Sequence, residues 1–258
     1  MSRSIFVRQL VAATREELWA ACSTARGMSK WQADVAFGDA SSANNITLSW
    51  PALKLSIDLE VKEVVPFERL VLGIGTSRLT LEIEPGEVRL THAGLRTDDE
   101  EDGMRSAWRT SLGLLSHALT KHPHRERRVH WVTRAAKTCP ELCHVFFTDP
   151  AALRQWLTRV GAIGEQGSSL SAQLMNGDAV TGEVFANTPN RDVAFTWQEQ
   201  QESYLVLRTF PSPNAVGERL IALSWSRFYP EPFPPSVTRF MDAAVGRLAH
   251  LLERYGQA

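Results

Sequence analysis

The stretch GLLSHAL at residues 113–119 recurs as GRLAHLL at residues 246–252, a shift of 133 residues without a gap. Both copies have the pattern Gly-x-Leu-x-His-x-Leu, and both lie in segments whose apolar residues recur every three or four positions, as in an amphipathic helix. The same shift places LTH at 90–92 on LSW at 223–225. A strand followed by a long helix therefore occurs twice in this chain.

The beginnings of the two halves also match. Thr14–Glu17 (TREE) and Thr138–Glu141 (TCPE) both have the form of a capping box, in which a hydroxyl and a glutamate satisfy the first N–H groups of a helix. The two boxes match at a shift of 124 residues, and Trp31 corresponds to Trp156 at a shift of 125. Because the register is kept within elements and changes only across loops, we predict a duplication: a first domain at 1–122, a linker at 123–128 and a second domain at 129–258.

Between the short N-terminal helices and the long helix, each half has strand patterns. In the first half, apolar and polar residues alternate over 53–62 and 78–84, and the period then changes to that of a helix over 104–121. In the second half, strand-like segments at 180–185, 191–197, 203–210 and 218–228 precede a helix at about 237–254. The pattern predicts an α+β fold with two tandem helix-grip domains, each a curved antiparallel sheet wrapped around a long C-terminal helix.

Composition excludes several classes of protein. The chain has 28 Lys+Arg and 29 Asp+Glu, a net charge of −1 that is not typical of a nucleic-acid binder. No apolar run approaches the ~18 residues of a membrane span, and no secretory signal is evident, so we expect a cytoplasmic protein. The charged runs DDEED at 98–102 and RERR at 125–128 are interpreted as a helix approach and a solvated linker.

Three segments of the first half resemble a known family: EVVPFERL at 63–70, RLTHAGL at 89–95, and the long helix with Trp108. They are similar to the activator-of-heat-shock-protein-90-ATPase homology branch of the START-like (SRPBCC, birch-pollen-allergen) superfamily. The resemblance implies the helix-grip fold. The second half matches more loosely, because Trp225 stands where His92 would be and Arg227 replaces the glycine at Gly94.

No catalytic motif is present, and we predict neither a cofactor nor a metal site. Cys139, Cys143 and His144 have a suggestive spacing, but no third and fourth ligand follows at a workable distance. His92 continues an apolar strand stripe. It is either an acid, base or ligand donor on the concave face, or a histidine at a strand end that is bonded to backbone or water.

Other candidate ligand-binding residues are apolar or ambiguous. Arg208 lies on a strand of which either face could point inward, so it either holds an oxygen atom of a ligand or lies in solvent. Ile57 lies on the apolar face of a long strand. Four tryptophans are candidates for core packing or ligand contact: Trp31, Trp108, Trp156 and Trp225.

These observations favour non-enzymatic binding of a hydrophobic small molecule, lipid-like or polyketide-like, in a cavity between sheet and helix. Two alternatives remain open at this point. One is a protein-interaction or co-chaperone-like module, for which a protein partner is expected. The other is a di-domain polyketide aromatase/cyclase, which needs polar groups deep in the cavity.

Overall fold

The computed structural model describes residues 3–212 and 215–256. Within it the chain divides into two compact units, Met1–Arg128 and Val129–Ala258. Each unit has the same order of strands and α-helices: a strand, two short helices, six further strands and one long helix. The predicted α+β fold with two tandem helix-grip domains is confirmed.

Among its described residues, the first unit contains ten strands and α-helices, and a short 3-10 helix, Pro51–Leu53, lies between the third and fourth strands. The strands and α-helices are β1 (Arg3–Leu10), α1 (Arg15–Ser23), α2 (Ala25–Met28), β2 (Val35–Phe37), β3 (Asn45–Trp50), β4 (Leu55–Val65), β5 (Arg69–Ile74), β6 (Ser77–Glu84), β7 (Glu87–Leu95) and α3 (Asp98–Lys121). The strands form an antiparallel sheet in the order β1-β7-β6-β5-β4-β3-β2. The first strand of the unit therefore pairs with its last strand.

The second unit repeats this topology. Its elements are β8 (Arg128–Lys137), α4 (Pro140–Thr148), α5 (Pro150–Leu153), β9 (Thr158–Gly161), β10 (Ser169–Leu174), β11 (Ala179–Thr188), β12 (Asp192–Trp197), β13 (Ser203–Pro211), β14 (Glu218–Arg227) and α6 (Pro235–Gly256). The strand order is β8-β14-β13-β12-β11-β10-β9, element for element the order of the first sheet.

In each unit the long helix covers one face of the sheet, which we call the inner face. In the second unit, Leu205 and Leu207 of β13 lie in one apolar core with Met241 and Leu248 of α6. Burying such a side chain contributes roughly 1.5–3 kcal/mol, so this strip is a main source of stability. In the first unit, the inner face bears Leu79, Leu81 and Ile83 of β6, all buried.

The helix starts differ in part from the predicted ones. Thr14 caps α1 with the complete reciprocal capping box. The second predicted box, at Thr138, is wrong: Cys139 is the N-cap of α4 and makes no side-chain cap bond. Pro140 occupies the first turn and starts the helix one residue later, which moves the cap position from the threonine to the cysteine.

The two charged runs lie in other places than expected. The acidic run starts α3 itself, after the N-cap Thr97, rather than preceding the helix, and it lies at the positive end of the helix dipole as expected. Arg127 is not solvated: its side chain is 5% exposed and lies 3.5 Å from Asp34. It donates to the carbonyls of Ser29 (3.2 Å) and Ala33 (2.5 Å). Burial lowers its pKa to about 10, and the first unit holds this part of the chain.

Candidate functional site

Two of the candidate residues meet on the inner face of the first domain. The indole Nε1–H of Trp108, on α3, donates to Nδ1 of His92, on β7, over 3.1 Å. On the other side of the ring, Nε2 of His92 lies 3.1 Å from Oγ of Ser77 at the start of β6. The Ser77 hydroxyl in turn donates to the carbonyl of Ile74 over 2.9 Å. A hydrogen-bonded chain therefore links the long helix to the β5–β6 turn.

Chemistry fixes the direction of every bond in this chain. An indole N–H can only donate, so Nδ1 of His92 must present its lone pair to Trp108. A neutral imidazole then carries its proton on Nε2 and donates it to Ser77. A protonated His92 would direct an N–H at the N–H of Trp108, so the contact with the helix requires the neutral ring.

The electrostatic surroundings agree with a neutral ring. Burial lowers the pKa of His92 below its ordinary value, and the carboxylate of Glu100 on α3 opposes this effect. Glu100 itself accepts the backbone N–H of Arg96 over 2.8 Å, which helps to keep the pKa of its carboxyl low. The ring is 4% exposed.

Gly94 allows the β5–β6 turn to approach β7 this closely. Its backbone has φ +94°, and a Cβ atom placed there would lie 2.8 Å from Cα of Ser77. Only glycine adopts this conformation without strain. The glycine of the Thr-His-x-Gly segment thus serves to seat Ser77 against His92.

We call the end of the inner face around this chain the mouth, defined by Ile74, Ser77, His92, Met104 and Trp108. Met104 lies one helical turn before Trp108 on α3 and so projects from the same side of the helix. It is 36% exposed. Ile74 and Ser77 are register partners in the β5–β6 hairpin, and both are half-buried. The mouth thus combines an accessible apolar rim with a buried polar chain.

The second domain is closed at the equivalent positions. Strand register and the 133-residue shift pair the five mouth residues with Trp197, Ser203, Trp225, Val237 and Met241. None of these five is more than 4% exposed. The two domains have therefore kept the fold and diverged at this end of the inner face.

Trp225 takes over the hydrogen bond of His92. Its Nε1–H donates to Oγ of Ser203 over 2.8 Å, and Ser203 is the equivalent of Ser77. Its ring packs at 5.6 Å from that of Trp197 and at 5.0 Å from that of Phe233. In the second domain one indole therefore bonds to the equivalent serine directly, and two further aromatic rings pack against it.

Trp31 and Trp156 have the same structural role in their two domains. Nε1–H of Trp31 donates to the carbonyl of Ala21 over 3.0 Å, and Nε1–H of Trp156 donates to that of Phe146 over 2.9 Å. Both acceptors lie ten residues upstream, in the first short helix. Each indole ties the segment that follows the second short helix to the first short helix, and both rings are buried.

The remaining candidates, Ile57 and Arg208, lie away from the mouth. Ile57 is half-buried on β4. The row of register partners that starts at His92 crosses β4 at Val61, four residues further along the strand. Arg208 alternates with the core residues Leu205 and Leu207 and so faces away from α6.

Arg208 has its own partner on the neighbouring strand. Its Nη2 donates to the carboxylate of Asp192 over 2.6 Å, and the two residues are directly paired across β12 and β13. The cross-strand ion pair accounts for the position of this arginine on the outer face.

Sequence reasoning missed Ser77, Met104 and the function of Gly94. The available signal for Ser77 was its position directly after the tight Gly75-Thr76 turn of a hairpin that faces the His92 strand. Among the described residues, no group of three or more His, Cys, Asp or Glu side chains is placed to hold a metal ion. Within the same ranges, no helix is long and apolar enough to cross a membrane.

The stability of the first domain should decrease below pH 6.5 because of His92. The unfolded chain takes up a proton near pH 6.5, whereas the folded ring resists it until its lower pKa is reached. As the pH is lowered from 6.5 to the pKa of the folded ring, the free energy of unfolding is expected to decrease by up to about 1.4 kcal/mol per pH unit. Above pH 6.5 the ring is neutral in both states, and His92 makes no contribution to the pH dependence.

The measurement is denaturant unfolding of the full chain between pH 5 and pH 8, with His92→Gln as the matched variant. Glutamine can accept from Trp108 and donate to Ser77 without titrating. The difference in pH slope between the two proteins isolates His92 from His130 and His144, whose pKa values are also lowered by burial. Equal slopes would show that His92 takes up a proton in the folded state without resistance.

Comparisons with known proteins were made for the sequence and for the fold. Residues 12–120 match the family described as "Activator of Hsp90 ATPase homolog 1-like protein". No curated protein sequence matches the chain. Three solved structures illustrate the structural likeness.

The di-domain ARO/CYC BexL from the BE-7585A biosynthetic pathway is 12% identical, with 99% of each chain covered and a TM-score of 0.41. The Aha1 dimer from Colwellia psychrerythraea is 18% identical, with 49% of this chain and 96% of that chain covered and a TM-score of 0.41. CalU16 from Micromonospora echinospora is 17% identical, with 51% of this chain and 80% of that chain covered and a TM-score of 0.41.

The two sheets have one strand order, and each is covered by its own C-terminal helix. The first domain, over residues 12–120, matches the activator-of-Hsp90-ATPase homology family, as the sequence resemblance predicted, and the second domain repeats its strand order.

Proposed function

We propose that the first domain binds a hydrophobic small molecule at the mouth, between the sheet and α3. The observation that carries the proposal is the contrast between equivalent positions in the two domains. Five residues that are sealed in the second domain correspond to a partly open set in the first, where Met104 is 36% exposed. Apolar surface left accessible beside buried polar groups is the usual composition of a ligand site.

The chemistry of the site favours binding over catalysis. A general base needs a lone pair that it can direct at a substrate proton. Nδ1 of His92 directs its lone pair at Trp108, and Nε2 carries the proton that goes to Ser77. Proton transfer by His92 would require the chain to be broken first, so the aromatase/cyclase alternative gains no support from this arrangement.

The test is native mass spectrometry of the full chain after gentle purification, followed by titration with an uncharged apolar fluorescent probe such as N-phenyl-1-naphthylamine. We expect one ligand or probe per chain. Met104→Glu should weaken probe binding about tenfold or more, because it places a charge on the apolar rim, and burying an unpaired charge is costly.

Val145→Glu is the matched control. Val145 lies on α4 of the second domain and is 47% exposed, so the substitution adds the same charge to an exposed helix surface and leaves the five mouth residues unchanged. Probe binding by this variant should equal that of the parent protein. Two equivalent sites per chain, or equal losses in both variants, would contradict a single site at the mouth.

A protein-interaction function has one specific observation in its favour. The edge strand β1 exposes two apolar side chains, Phe6 (54%) and Leu10 (63%). Edge strands and exposed apolar residues are features of surfaces that bind other chains. Ligand-free protein that co-purifies with a polypeptide in the same mass spectrometry experiment would support this function over small-molecule binding.

A further inference from the structure

The polar chain at the mouth has no hydrogen left to donate. The single N–H of the Trp108 indole is given to His92, and the single N–H of neutral His92 is given to Ser77. The hydroxyl hydrogen of Ser77 is given to the carbonyl of Ile74. Each donor in the chain therefore already has its acceptor.

The chain does have an acceptor to offer. A serine oxygen has two lone pairs, and the bond from His92 uses one of them. Ser77 is half-buried, whereas His92 and Trp108 are buried behind it, so Ser77 is the member of the chain that a ligand can reach. A ligand that meets Ser77 without breaking an existing bond must bring its own donor.

The surroundings of Ser77 are unfavourable for a charged ligand group, both as the donor to Ser77 and beside that donor. Ile74 is the register partner of Ser77, and Met104 lies one helical turn before Trp108, so the nearby surface is apolar and would strip water from a charge without replacing its hydrogen bonds. A ligand carboxylate can only accept hydrogen bonds, and this chain has no donor to offer it. It would also be repelled by the negative charge of Glu100, which already acts on the His92 ring. A neutral hydroxyl satisfies the lone pair of Ser77 and carries no such cost.

We infer that the ligand of the first domain is an apolar molecule with a neutral hydroxyl group, an alcohol or a phenol, which donates its hydrogen bond to Oγ of Ser77. This inference rests on the proposed function and adds to it the polar chemistry of the ligand. His92 and Trp108 are positioning residues, because they hold Ser77 as an acceptor and do not contact the ligand hydroxyl themselves.

Two matched probes test this chemistry: 2-naphthol, which has a hydroxyl, and 2-methoxynaphthalene, which has the same rings and no donor. Their dissociation constants for the full chain are measured by equilibrium dialysis at pH 7.5. We expect 2-naphthol to bind about five- to tenfold more tightly, the value of one net hydrogen bond. In Ser77→Ala the ratio should fall to about one, mainly through weaker binding of 2-naphthol.

Three further variants test whether the loss expected in Ser77→Ala comes from the missing hydroxyl group. Ser77→Thr keeps the hydroxyl and should keep the preference, which shows that the loss in Ser77→Ala is not a folding defect. Ser4→Ala changes an exposed serine on β1 and should leave both constants unchanged. His92→Gln keeps a donor to Ser77 and should also keep the preference.

The outcomes separate this inference from the proposed function. Equal binding of the two probes, or a preference that survives in Ser77→Ala, overturns the assignment of Ser77 while small-molecule binding stands. Binding of neither probe to the parent protein overturns the proposed function and this inference with it.

Discussion

Trp225→Ala is expected to lower the free energy of unfolding of the second domain by about 3–5 kcal/mol, the range found for buried Trp→Ala and Phe→Ala substitutions. Trp225 is fully buried, and its ring contacts those of Trp197 and Phe233. Removing it leaves a cavity on the inner face and takes the donor away from Ser203. The measurement is guanidinium-induced unfolding of the full chain, with hydrogen exchange to assign each transition to a domain.

Two further variants divide this loss into its parts. Trp225→Phe keeps an aromatic ring but removes Nε1–H, so it should cost less than the alanine variant and report the bond to Ser203. Phe37→Ala truncates an aromatic side chain that is 60% exposed, and its effect should stay within about 0.5 kcal/mol. A loss below about 1 kcal/mol in Trp225→Ala would contradict a packed role for this ring.

This expectation bears on how the two domains divide their roles. The second domain has at its inner face the indoles of Trp197 and Trp225, where the first has Ile74 and His92. Filling that space increases packing and removes room for a ligand. The second domain therefore gains stability at the position where we propose that the first domain binds its ligand.

Much of the fold could be predicted from the sequence because its signals are periodic and local. The Gly-x-Leu-x-His-x-Leu helices and the alternating strands each encode one element, and their repetition encodes the tandem arrangement. The capping box at Thr14 involves residues three positions apart, and it is present as predicted. Where a local rule had a competing neighbour, as at Thr138 before Pro140, the prediction was wrong.

The site could be predicted only in part, since its contacts join residues far apart in the chain. His92 and Trp108 belong to different elements, and nothing in either segment indicates that an indole N–H would determine the tautomer of the imidazole. Ser77 reaches His92 because a two-residue turn and a glycine bring two strands close together. Burial of Arg127 likewise depends on carbonyls more than ninety residues away.

Arg227 shows why the glycine position differs between the domains. It is the equivalent of Gly94, and its backbone does not have a positive φ. The connection between β12 and β13 contains a 3-10 turn, Gln198–Gln200, in place of the tight turn between β5 and β6. Arg227 donates to the side chain of Gln201 in that longer connection over 2.9 Å. A longer turn makes room for a side chain where the first domain tolerates only a hydrogen atom.

Gly94→Ala should therefore destabilise the first domain by about 2–3 kcal/mol. The backbone at φ +94° is unfavourable for any side chain, and the new Cβ would lie 2.8 Å from Cα of Ser77 and 3.0 Å from the carbonyl oxygen of Thr76. Both neighbours are backbone atoms, so the strain must move the β5–β6 turn away from β7. That movement also pulls Ser77 away from His92.

Gly75→Ala is the matched control, because Gly75 lies in the same turn with φ +55° and has no atom within 4 Å of the position of a Cβ. It carries the conformational cost of a positive φ without the contact, about 1–2 kcal/mol. In denaturant unfolding, Gly94→Ala should have a lower free energy of unfolding than Gly75→Ala. The preference for 2-naphthol should be lost in Gly94→Ala and kept in Gly75→Ala. If the two variants were equally stable and equally selective, the close approach of β7 to the turn would not be what seats Ser77, and His92 would have to hold the serine alone.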